Sequence, residues 1–311
     1  MSKKAEIEVG GKKLTVSNLE KVLYPEAQFT KGQVIDYYIR IAPVLLPHLK
    51  NRPITLKRYP DGVEGFFFYE KQCPSHRPSW IKTVEVPSRR EKGKIDYCMM
   101  NDLPALIWAA NLADLELHTF LHRAPAIARP TALAFDLDPG APADIVLCCR
   151  VGIWLREIFD GLGLQAFPKT SGSKGLQIFV PLNLATTYEK TKAFTRALAE
   201  KVEREHPREV VSRMQKDLRK GKVLIDWSQN DDHKTTVNVY SLRAKAQPTV
   251  STPVTWKEVE AVVKKRDAQR LVFDSDAVLR RVEKHGDLFA PVLTLKQRLP
   301  ALRALDQLRS S

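Results

Sequence analysis

The order of predicted elements in the middle of the chain constrains the fold more than any other feature. Hydrophobic periodicity, helix caps and Pro/Gly breaks predict strand, helix, strand, strand, helix, strand. The predicted ranges of these six elements are a strand at 131–138, a helix at 142–159, strands at 164–169 and 175–181, a helix from 186 or 187 to 205, and a strand at 222–228. A further strand is predicted at 236–241. This order is typical of the split βαβ, ferredoxin-like sheet. RNA-recognition modules and polymerase palms share that sheet, so the fold alone does not choose a function.

Two carboxylates occupy the first of these strands. Asp136 and Asp138 lie two residues apart, immediately before a Pro139-Gly140 break. Residues i and i+2 of a strand share a face and lie ~7 Å apart, so both side chains point the same way. Two such charges repel each other unless a cation lies between them. The arrangement suits a pair of divalent ions, which two-metal sites hold roughly 4 Å apart.

A third carboxylate, Asp226, lies on the strand predicted at 222–228. In the split βαβ order this fourth strand neighbours the first, so the three carboxylates are expected to converge. Their oxygen ligands suit Mg²⁺ or Mn²⁺. The alternative is that Asp226 ends an edge strand in solvent. A second Asp-x-Asp pair, Asp274 and Asp276, precedes a helical run and is predicted to cap that helix.

The loop 170–175 (TSGSKG) joins two of the predicted strands. Its glycines and hydroxyls allow close approach to phosphate oxygens, with Lys174 as a nearby point charge. It is not a Walker A loop, and Ser-Gly loops are also common as plain hairpin turns. Arg243 suits bidentate phosphate binding. His118 taken alone is more often a structural hydrogen-bonding residue than a functional one.

The charge balance favours a polyanionic partner. Lys and Arg number 50 against 36 Asp and Glu, a net charge of +14, which indicates nucleic acid or else a merely soluble basic protein. The four cysteines form no CxxC pair, so reduced thiols are expected rather than a disulfide scaffold or a zinc knuckle. With no apolar leader and no membrane-length apolar run, a soluble cytoplasmic protein without a membrane partner is expected.

The flanking regions are predicted to carry a smaller set of elements. The N-terminus predicts a strand pair turning at Gly10-Gly11, a short helix from 17 to 25, and a longer helix from 31 to 46 capped by Thr30. An aromatic run at 66–69 is placed on a strand, with one ring free to stack on a base. After residue 252 the chain is predicted to be helical.

These residues together resemble the polymerase domain of bacterial DNA ligase D, in the archaeo-eukaryotic primase superfamily. The matching stretches are 17–25 (SNLEKVLYP), 56–62 (LKRYPDG), 115–118 (LELH), 135–140 (FDLDPG), 170–176 (TSGSKGL), 221–230 (GKVLIDWSQN) and 240–244 (YSLRA). The resemblance implies an α/β (α+β) primase-polymerase fold with a split βαβ (RRM/ferredoxin-like) palm sheet and flanking helices. One domain over 1–311 is expected, with an N-terminal αβ module at 1–130, a catalytic core at 131–252 and a C-terminal helical extension at 253–311.

The resemblance also implies a function. Such enzymes are gap-filling and end-extending nucleotidyltransferases of bacterial non-homologous end joining that prefer ribonucleotides and Mn²⁺. The implied partners are DNA ends or gaps with a 5′-phosphate, NTP or dNTP, the Ku end-binding protein and a ligase domain or subunit, in a nucleoid-associated setting. The chain has no visible ligase or nuclease segment, so a stand-alone protein and a fragment of a larger one both stay open.

Site residues follow from the same resemblance, position by position. Catalytic and metal-binding roles fall to Asp136, Asp138 and Asp226. Nucleotide contacts fall to Ser171, Ser173, Lys174, Gln177, His118, Arg243 and Lys57. His118 would lie near the sugar and help to read its 2′-hydroxyl. DNA contacts fall to Lys21 and Lys31 at the 5′-phosphate, to Phe66 or Phe67 at the template, and to Arg219.

One position departs from the family pattern. Gln177 stands where the family usually has His. An amide can donate a hydrogen bond to phosphate but carries no positive charge, and losing a charge-assisted contact costs about 1–3 kcal/mol. A catalytically impaired DNA-end-binding or synapsis module is therefore the alternative function. A phosphatase with an Asp nucleophile is a second rival, although that class normally follows its Asp-x-Asp with small residues and a Thr.

Overall fold

The computed structural model describes residues 4–88 and 93–307. They form two compact units. The first, called the N-terminal unit, runs to Pro125 and includes Thr235–Ser251 and Phe273–Asp287. The second, called the central unit, comprises Ala126–Lys234, Thr252–Val272 and the described residues from Leu288 onward. These boundaries differ from the predicted subdivision at 130 and 252, because two later segments of the chain return to the N-terminal unit.

The N-terminal unit is built on a six-stranded sheet. Its strands are β5 (Pro53–Arg58), β6 (Phe68–Glu70), β7 (Thr83–Pro87), β8 (Lys94–Met99), β9 (Asp114–Thr119) and β15 (Thr236–Val237). They follow the order β15-β9-β5-β8-β7, with β6 also pairing with β5. Two small ribbons join β1 (Lys4–Val9) to β2 (Lys12–Ser17) and β3 (Val22–Tyr24) to β4 (Phe29–Thr30). The predicted turn at Gly10-Gly11 is confirmed, since both glycines have positive φ.

Three helices accompany this sheet, namely α1 (Lys31–Leu49), α2 (Leu103–Asn111) and α6 (Ser275–His285). Thr30 caps α1 as predicted, in a capping box with Gln33. The short helix predicted from 17 to 25 is wrong. Asn18 has a positive φ of 53°, and the chain then enters β3, whose Leu23 and Tyr24 are fully buried. Burial of these two side chains in an extended segment outweighs the local capping signal.

The central unit confirms the predicted split βαβ order. Its sheet contains β10 (Ala132–Pro139), β11 (Phe167–Thr170), β12 (Leu176–Pro181), β13 (Val210–Val211) and β14 (Val223–Asp226). The spatial order is β11-β12-β10-β14-β13. Helices α3 (Ile145–Gly161) and α4 (Tyr188–Glu205) make the crossovers. Leu133, Phe135 and Leu137 are fully buried on the face of β10 opposite the carboxylates.

Two strands are shorter in the structure than the sequence predicts. The fourth strand ends at Asp226, and Trp227–Gln229 form a 3-10 turn instead of its continuation. The strand predicted at 236–241 shortens to β15, which pairs with β9 in the N-terminal unit. The remaining helices are α5 (Trp256–Lys265), α7 (Pro291–Thr294) and α8 (Ala304–Gln307). Asp274 caps α6 through the Ala277 N–H, as predicted for the second Asp-x-Asp pair.

The cysteines only partly follow prediction. Cys148 and Cys149 are buried free thiols on α3, whereas Cys73 and Cys98 form a disulfide. The expectation of four reduced thiols is therefore wrong for one pair. The two cysteines lie 25 residues apart in sequence, and tertiary folding alone brings their Cα atoms to 5.0 Å, within disulfide range.

None of the helices within 4–88 and 93–307 is both long enough and apolar enough to cross a membrane.

Candidate nucleotidyl-transfer site

A row of polar side chains crosses four strands of the central sheet. Asp136 on β10 lies directly opposite Asp226 on β14. On its other side Asp136 lies opposite Gln177 of β12, which in turn lies opposite Lys169 of β11. Directly opposed residues share a face with Cβ atoms about 5 Å apart. Asp138 lies on the same face of β10, one pleat further on.

Asp136 is the electrostatic centre of this row. Its Oδ1 atom is buried without a hydrogen-bond partner. Burial raises the pKa of Asp136 to about 7, and the neighbouring charges of Asp138 and Asp226 push it the same way. Gln177 and Lys169 act in the opposite direction and do not offset the rise. An unpartnered buried carboxylate oxygen beside two further acidic groups is a setting that a cation would stabilise.

Asp226 is held by its own turn. Its Oδ1 accepts hydrogen bonds from the Ser228 N–H at 2.9 Å and the Ser228 hydroxyl at 2.6 Å, and its Oδ2 accepts from the Gln229 amide at 3.0 Å. These bonds fix the carboxylate at the end of β14. A carboxylate has about four lone-pair sites, two on each oxygen, so Oδ2 keeps capacity for a further ligand. The alternative of Asp226 on an edge strand does not hold, because β14 lies between β10 and β13.

A different acidic group forms the tightest cluster of potential metal ligands in the described part of the chain. Ligand atoms of Asp231, Asp232 and His233 lie within 4.8 Å of one another. Sequence reasoning did not single out this group. Asp231 already forms an ion pair with Lys192, which offsets its charge. In the carboxylate row, by contrast, burial together with the charges of Asp138 and Asp226 raises the pKa of Asp136, so the row is the better candidate.

Gln177 is buried and connects two charged groups. Its Oε1 accepts a hydrogen bond from the ammonium of Lys169, a lysine with no exposed surface. A side-chain hydrogen bond from Gln177 to Asp136 lowers the pKa of that carboxyl against the larger effect of burial. Sequence reasoning missed Lys169. Lys169 immediately precedes the loop 170–175, but only strand register shows that it lies beside Gln177.

The loop 170–175 is an organised turn. The Ser171 hydroxyl oxygen accepts the N–H groups of Ser173 at 3.2 Å and Gly175 at 3.1 Å. Ser171 is buried, whereas Ser173 and Lys174 are exposed. A Cβ atom on Gly175 would overlap the carbonyl oxygen of Leu137, so only glycine permits this close approach to β10. The loop therefore holds its exposed hydroxyl and ammonium at a fixed place beside the carboxylate strand.

A second polar cluster lies in the N-terminal unit around Glu116 on β9. Glu116 is 1% exposed. Its carboxylate lies 3.0 Å from His118 Nε2, 3.3 Å from Lys57 Nζ and 3.3 Å from Arg243 Nε. Three of the seven residues that the resemblance assigned to the nucleotide are thus brought together by a residue that sequence reasoning left without a role. The signal was the alternation of Glu116 and His118 with the apolar Leu115 and Leu117.

A cationic group of the same unit includes two predicted DNA-binding residues. Lys21 is exposed and pairs with Asp61 at 3.1 Å. Lys31 is buried, and its Nζ donates to the Ser17 carbonyl at 2.7 Å. Burial, together with the charges of Lys21 and Arg58, lowers the pKa of Lys31 to about 8. Lys21 and Arg58 each pair with a carboxylate, whereas the Lys31 ammonium is held by a backbone carbonyl, so the group keeps a positive charge that suits an anion.

The remaining predicted DNA contacts differ in exposure. Phe66 is 70% and Phe67 is 45% exposed, and both precede β6 rather than lying on a strand as predicted. Phe67 stacks on Tyr59 with ring centroids 5.2 Å apart. Arg219 ends a 3-10 turn in the central unit, and its Nε atom is buried without a hydrogen-bond partner. The structure thus places the rings and Arg219 in separate units.

The fold and the carboxylate row define a class, the α/β domains built on a polymerase-type palm sheet. A family model described as LigD, primase-polymerase domain, matches residues 30–289. The chain belongs to this family, since the match covers well over half of its 311 residues.

Curated relatives agree with the family match. The chain is 38% identical over 286 residues to "Multifunctional non-homologous end joining protein LigD" of Mycolicibacterium smegmatis. It is 30% identical over 298 residues to "Bifunctional non-homologous end joining protein LigD" of Bacillus subtilis. These matches cover 90% and 96% of this chain but only 36% and 47% of the relatives. The chain therefore spans between a third and a half of their length.

A solved structure has the same architecture. The "Polymerase Domain from Mycobacterium tuberculosis Ligase D in complex with DNA" is similar with a TM-score of 0.84 and 36% sequence identity. The similarity covers 91% of this chain and 99% of that one. The predicted primase-polymerase fold is therefore confirmed.

Proposed function

We propose that this chain is a template-directed nucleotidyltransferase that fills gaps and extends DNA ends during non-homologous end joining, with a preference for ribonucleotides. The observation that carries the proposal is the register that sets Asp226 opposite Asp136, with Asp138 on the same face. Family membership and the names of the relatives support the setting in end joining.

The three carboxylates fit a pair of divalent ions, Mn²⁺ or Mg²⁺. All the donors are oxygens, which these hard cations prefer. The buried Oδ1 of Asp136, which lacks a hydrogen-bond partner, supplies a free lone pair where a cation would relieve the repulsion. When bound, two such ions supply activation of a hydroxyl nucleophile and neutralisation of a leaving pyrophosphate. Asp136, Asp138 and Asp226 would hold them.

The protein's own side chains bind and orient the nucleotide. Ser173 and Lys174 offer a hydroxyl and an ammonium to the triphosphate, and Ser171 keeps their loop in shape. Lys57 and Arg243 supply two further cations. His118 contacts the sugar. Gln177 carries no charge, but the adjacent Lys169 ammonium maintains positive charge at that end of the row.

DNA contacts follow from charge and exposed rings. Lys21 and Lys31 bind the 5′-phosphate of the downstream strand, and Phe66 or Phe67 stacks where the template turns. Arg219 is a further template cation. The net charge of +14 supports phosphate binding, as does the DNA held by the similar solved structure. Ku and a ligase domain or subunit are the proposed protein partners, in a cytoplasmic, nucleoid-associated setting.

The test is primer extension on a gapped duplex that bears a 5′-phosphate, with Mn²⁺ or Mg²⁺ and with rNTPs or dNTPs in parallel. We expect extension with a preference for rNTPs, and its loss in Asp136→Ala. Extension that survives Asp136→Ala would rule out the proposed metal site. Phosphate release from a monoester without extension would instead indicate the phosphatase.

Gln177 supports one alternative, a DNA-end-binding module without turnover. The neutral amide lies where the resembling family usually has a histidine, so triphosphate binding could be too weak for catalysis. Comparison of Gln177→His with the parent distinguishes an impaired enzyme from a binding module without turnover. Extension that appears only in Gln177→His would show that the parent is an impaired enzyme.

A further inference from the structure

The proposed function gives nucleotide contacts to three side chains of the N-terminal unit, Lys57, His118 and Arg243. Glu116 contacts all three. Strand geometry explains how. Lys57 on β5 lies directly opposite Glu116 on β9, and His118 follows two residues later on the same face. Arg243 reaches the same carboxylate with its Nε at 3.3 Å. The neighbouring Ala244 N–H donates to Glu116 Oε1 at 3.1 Å, which ties that segment to β9.

Glu116 is ionised in this setting. Burial alone would raise its pKa, but the hydrogen bond with His118 and the charges of Arg243 and Lys57 hold the pKa well below the ordinary value. An ionised carboxylate can only accept hydrogen bonds. The His118 nitrogen 3.0 Å from Glu116 Oε2 is Nε2, so Nε2 must carry the proton.

His118 is neutral near pH 7. Burial lowers its pKa, with Arg243 and Lys57 acting in the same direction, and the hydrogen bond to Glu116 does not restore it. A neutral imidazole has one donor and one acceptor nitrogen. With Nε2 as the donor, Nδ1 is the acceptor, and within 4–88 and 93–307 it receives no hydrogen bond from another side chain. The flanking Lys57 and Arg243 have donors only.

Resting on the proposed function, we propose that Glu116 is a positioning residue that fixes the Nε2–H tautomer of His118 and so makes Nδ1 the acceptor for a sugar hydroxyl. The ligand class is a ribonucleoside triphosphate, whose 2′-hydroxyl donates to Nδ1 while Lys57 and Arg243 face its phosphates. A deoxyribonucleotide lacks the donor and leaves the Nδ1 lone pair unmatched. Sugar choice is thereby set by a carboxylate that does not touch the nucleotide.

The experiment compares the parent, Glu116→Gln and a control, Glu85→Gln. Glu85 is an exposed carboxylate of the same sheet that pairs with Lys94. The ¹⁵N shifts of labelled histidine report which ring nitrogen is protonated, and His118→Asn identifies the signal among the seven histidines. We expect Nε2–H in the parent and control. In Glu116→Gln, whose amide can donate to Nε2, we expect a shift towards Nδ1–H.

Kinetics supply the second measurement. The ratio of kcat/KM for rNTP to that for dNTP is expected to fall about tenfold in Glu116→Gln and to stay unchanged in Glu85→Gln. A parent with Nδ1 protonated, or a Glu116→Gln variant with the parent's tautomer and sugar ratio, would overturn the inference. If Glu116→Gln does not fold, the tautomer of the parent decides by itself, because Nδ1–H in the parent contradicts the inference. A parent protein without extension activity would refute the proposed function. In that case the tautomer of His118 and the relative affinity of the parent and Glu116→Gln for rNTP and dNTP still decide the role of Glu116.

Discussion

Replacing Asp136 with Asn should stabilise the metal-free protein while it abolishes the proposed activity. Burial, with Asp138 and Asp226, raises the pKa of Asp136 from 3.8 to about 7. The native state therefore resists losing a proton that the unfolded chain releases readily. Stability contributed by the protonated form is complete below about pH 4 and is lost as the pH rises to about 7. An amide at this position avoids that loss.

The magnitude follows from the size of the shift. A difference of about 3 pKa units at 1.36 kcal/mol each gives about 4 kcal/mol. The Asp136 side chain is only half-buried by surface area, so solvent screening reduces the figure. We expect Asp136→Asn to raise the free energy of unfolding at pH 8 by roughly 2–4 kcal/mol more than it does at pH 4.

The assay is urea unfolding in a chelating buffer at several values between pH 4 and pH 8, repeated with Mn²⁺ at pH 8. Mn²⁺ should stabilise the parent strongly and Asp136→Asn weakly, because a ligand that binds only the native state raises its stability. Asp274→Asn is the control, since Asn also caps helices well and Asp274 lies outside the carboxylate row. A metal-free Asp136→Asn variant whose stability relative to the parent does not increase with pH would refute the reasoning.

Three further changes test other parts of the structure. Gln177→His should alter kcat/KM for extension by less than about tenfold, because the Lys169 ammonium already lies beside position 177. A larger rise in kcat/KM, measured in steady-state assays, would favour the impaired-enzyme alternative. Affinity for a 5′-phosphorylated gap should fall as the pH rises through about 8, because Lys31 loses its charge there. Lys31→Arg should remove this pH dependence in fluorescence anisotropy titrations. A Lys31→Arg variant with the pH profile of the parent would argue against Lys31 as a phosphate ligand. Thr30→Ala should lower the free energy of unfolding by about 1 kcal/mol through loss of the α1 capping box, measured in urea, with exposed Thr294→Ala as the control. Equal stabilities of the parent and Thr30→Ala would show that the cap contributes nothing.

Local sequence patterns predicted the structure correctly where a feature depends only on residues close together in the chain. The Thr30 cap, the Gly10-Gly11 turn and the alternation of Leu133, Phe135 and Leu137 depend on neighbours in sequence. The same alternation places Asp136 and Asp138 on one face of β10. Local signals failed at 17–25, where the burial of Leu23 and Tyr24 overrides them, and at Trp227, where the Asp226 carboxylate caps a turn.

By itself, the sequence determined the split βαβ order, the acidic face of β10 and the family to which the chain belongs. Only the tertiary structure decided which side chains meet. Strand register sets Asp226 opposite Asp136, places Lys169 next to Gln177 and makes Glu116 the shared partner of Lys57, His118 and Arg243. The physical reason is that facing, capping and alternation are short-range properties, whereas pairing across strands depends on the packing of residues far apart in the chain.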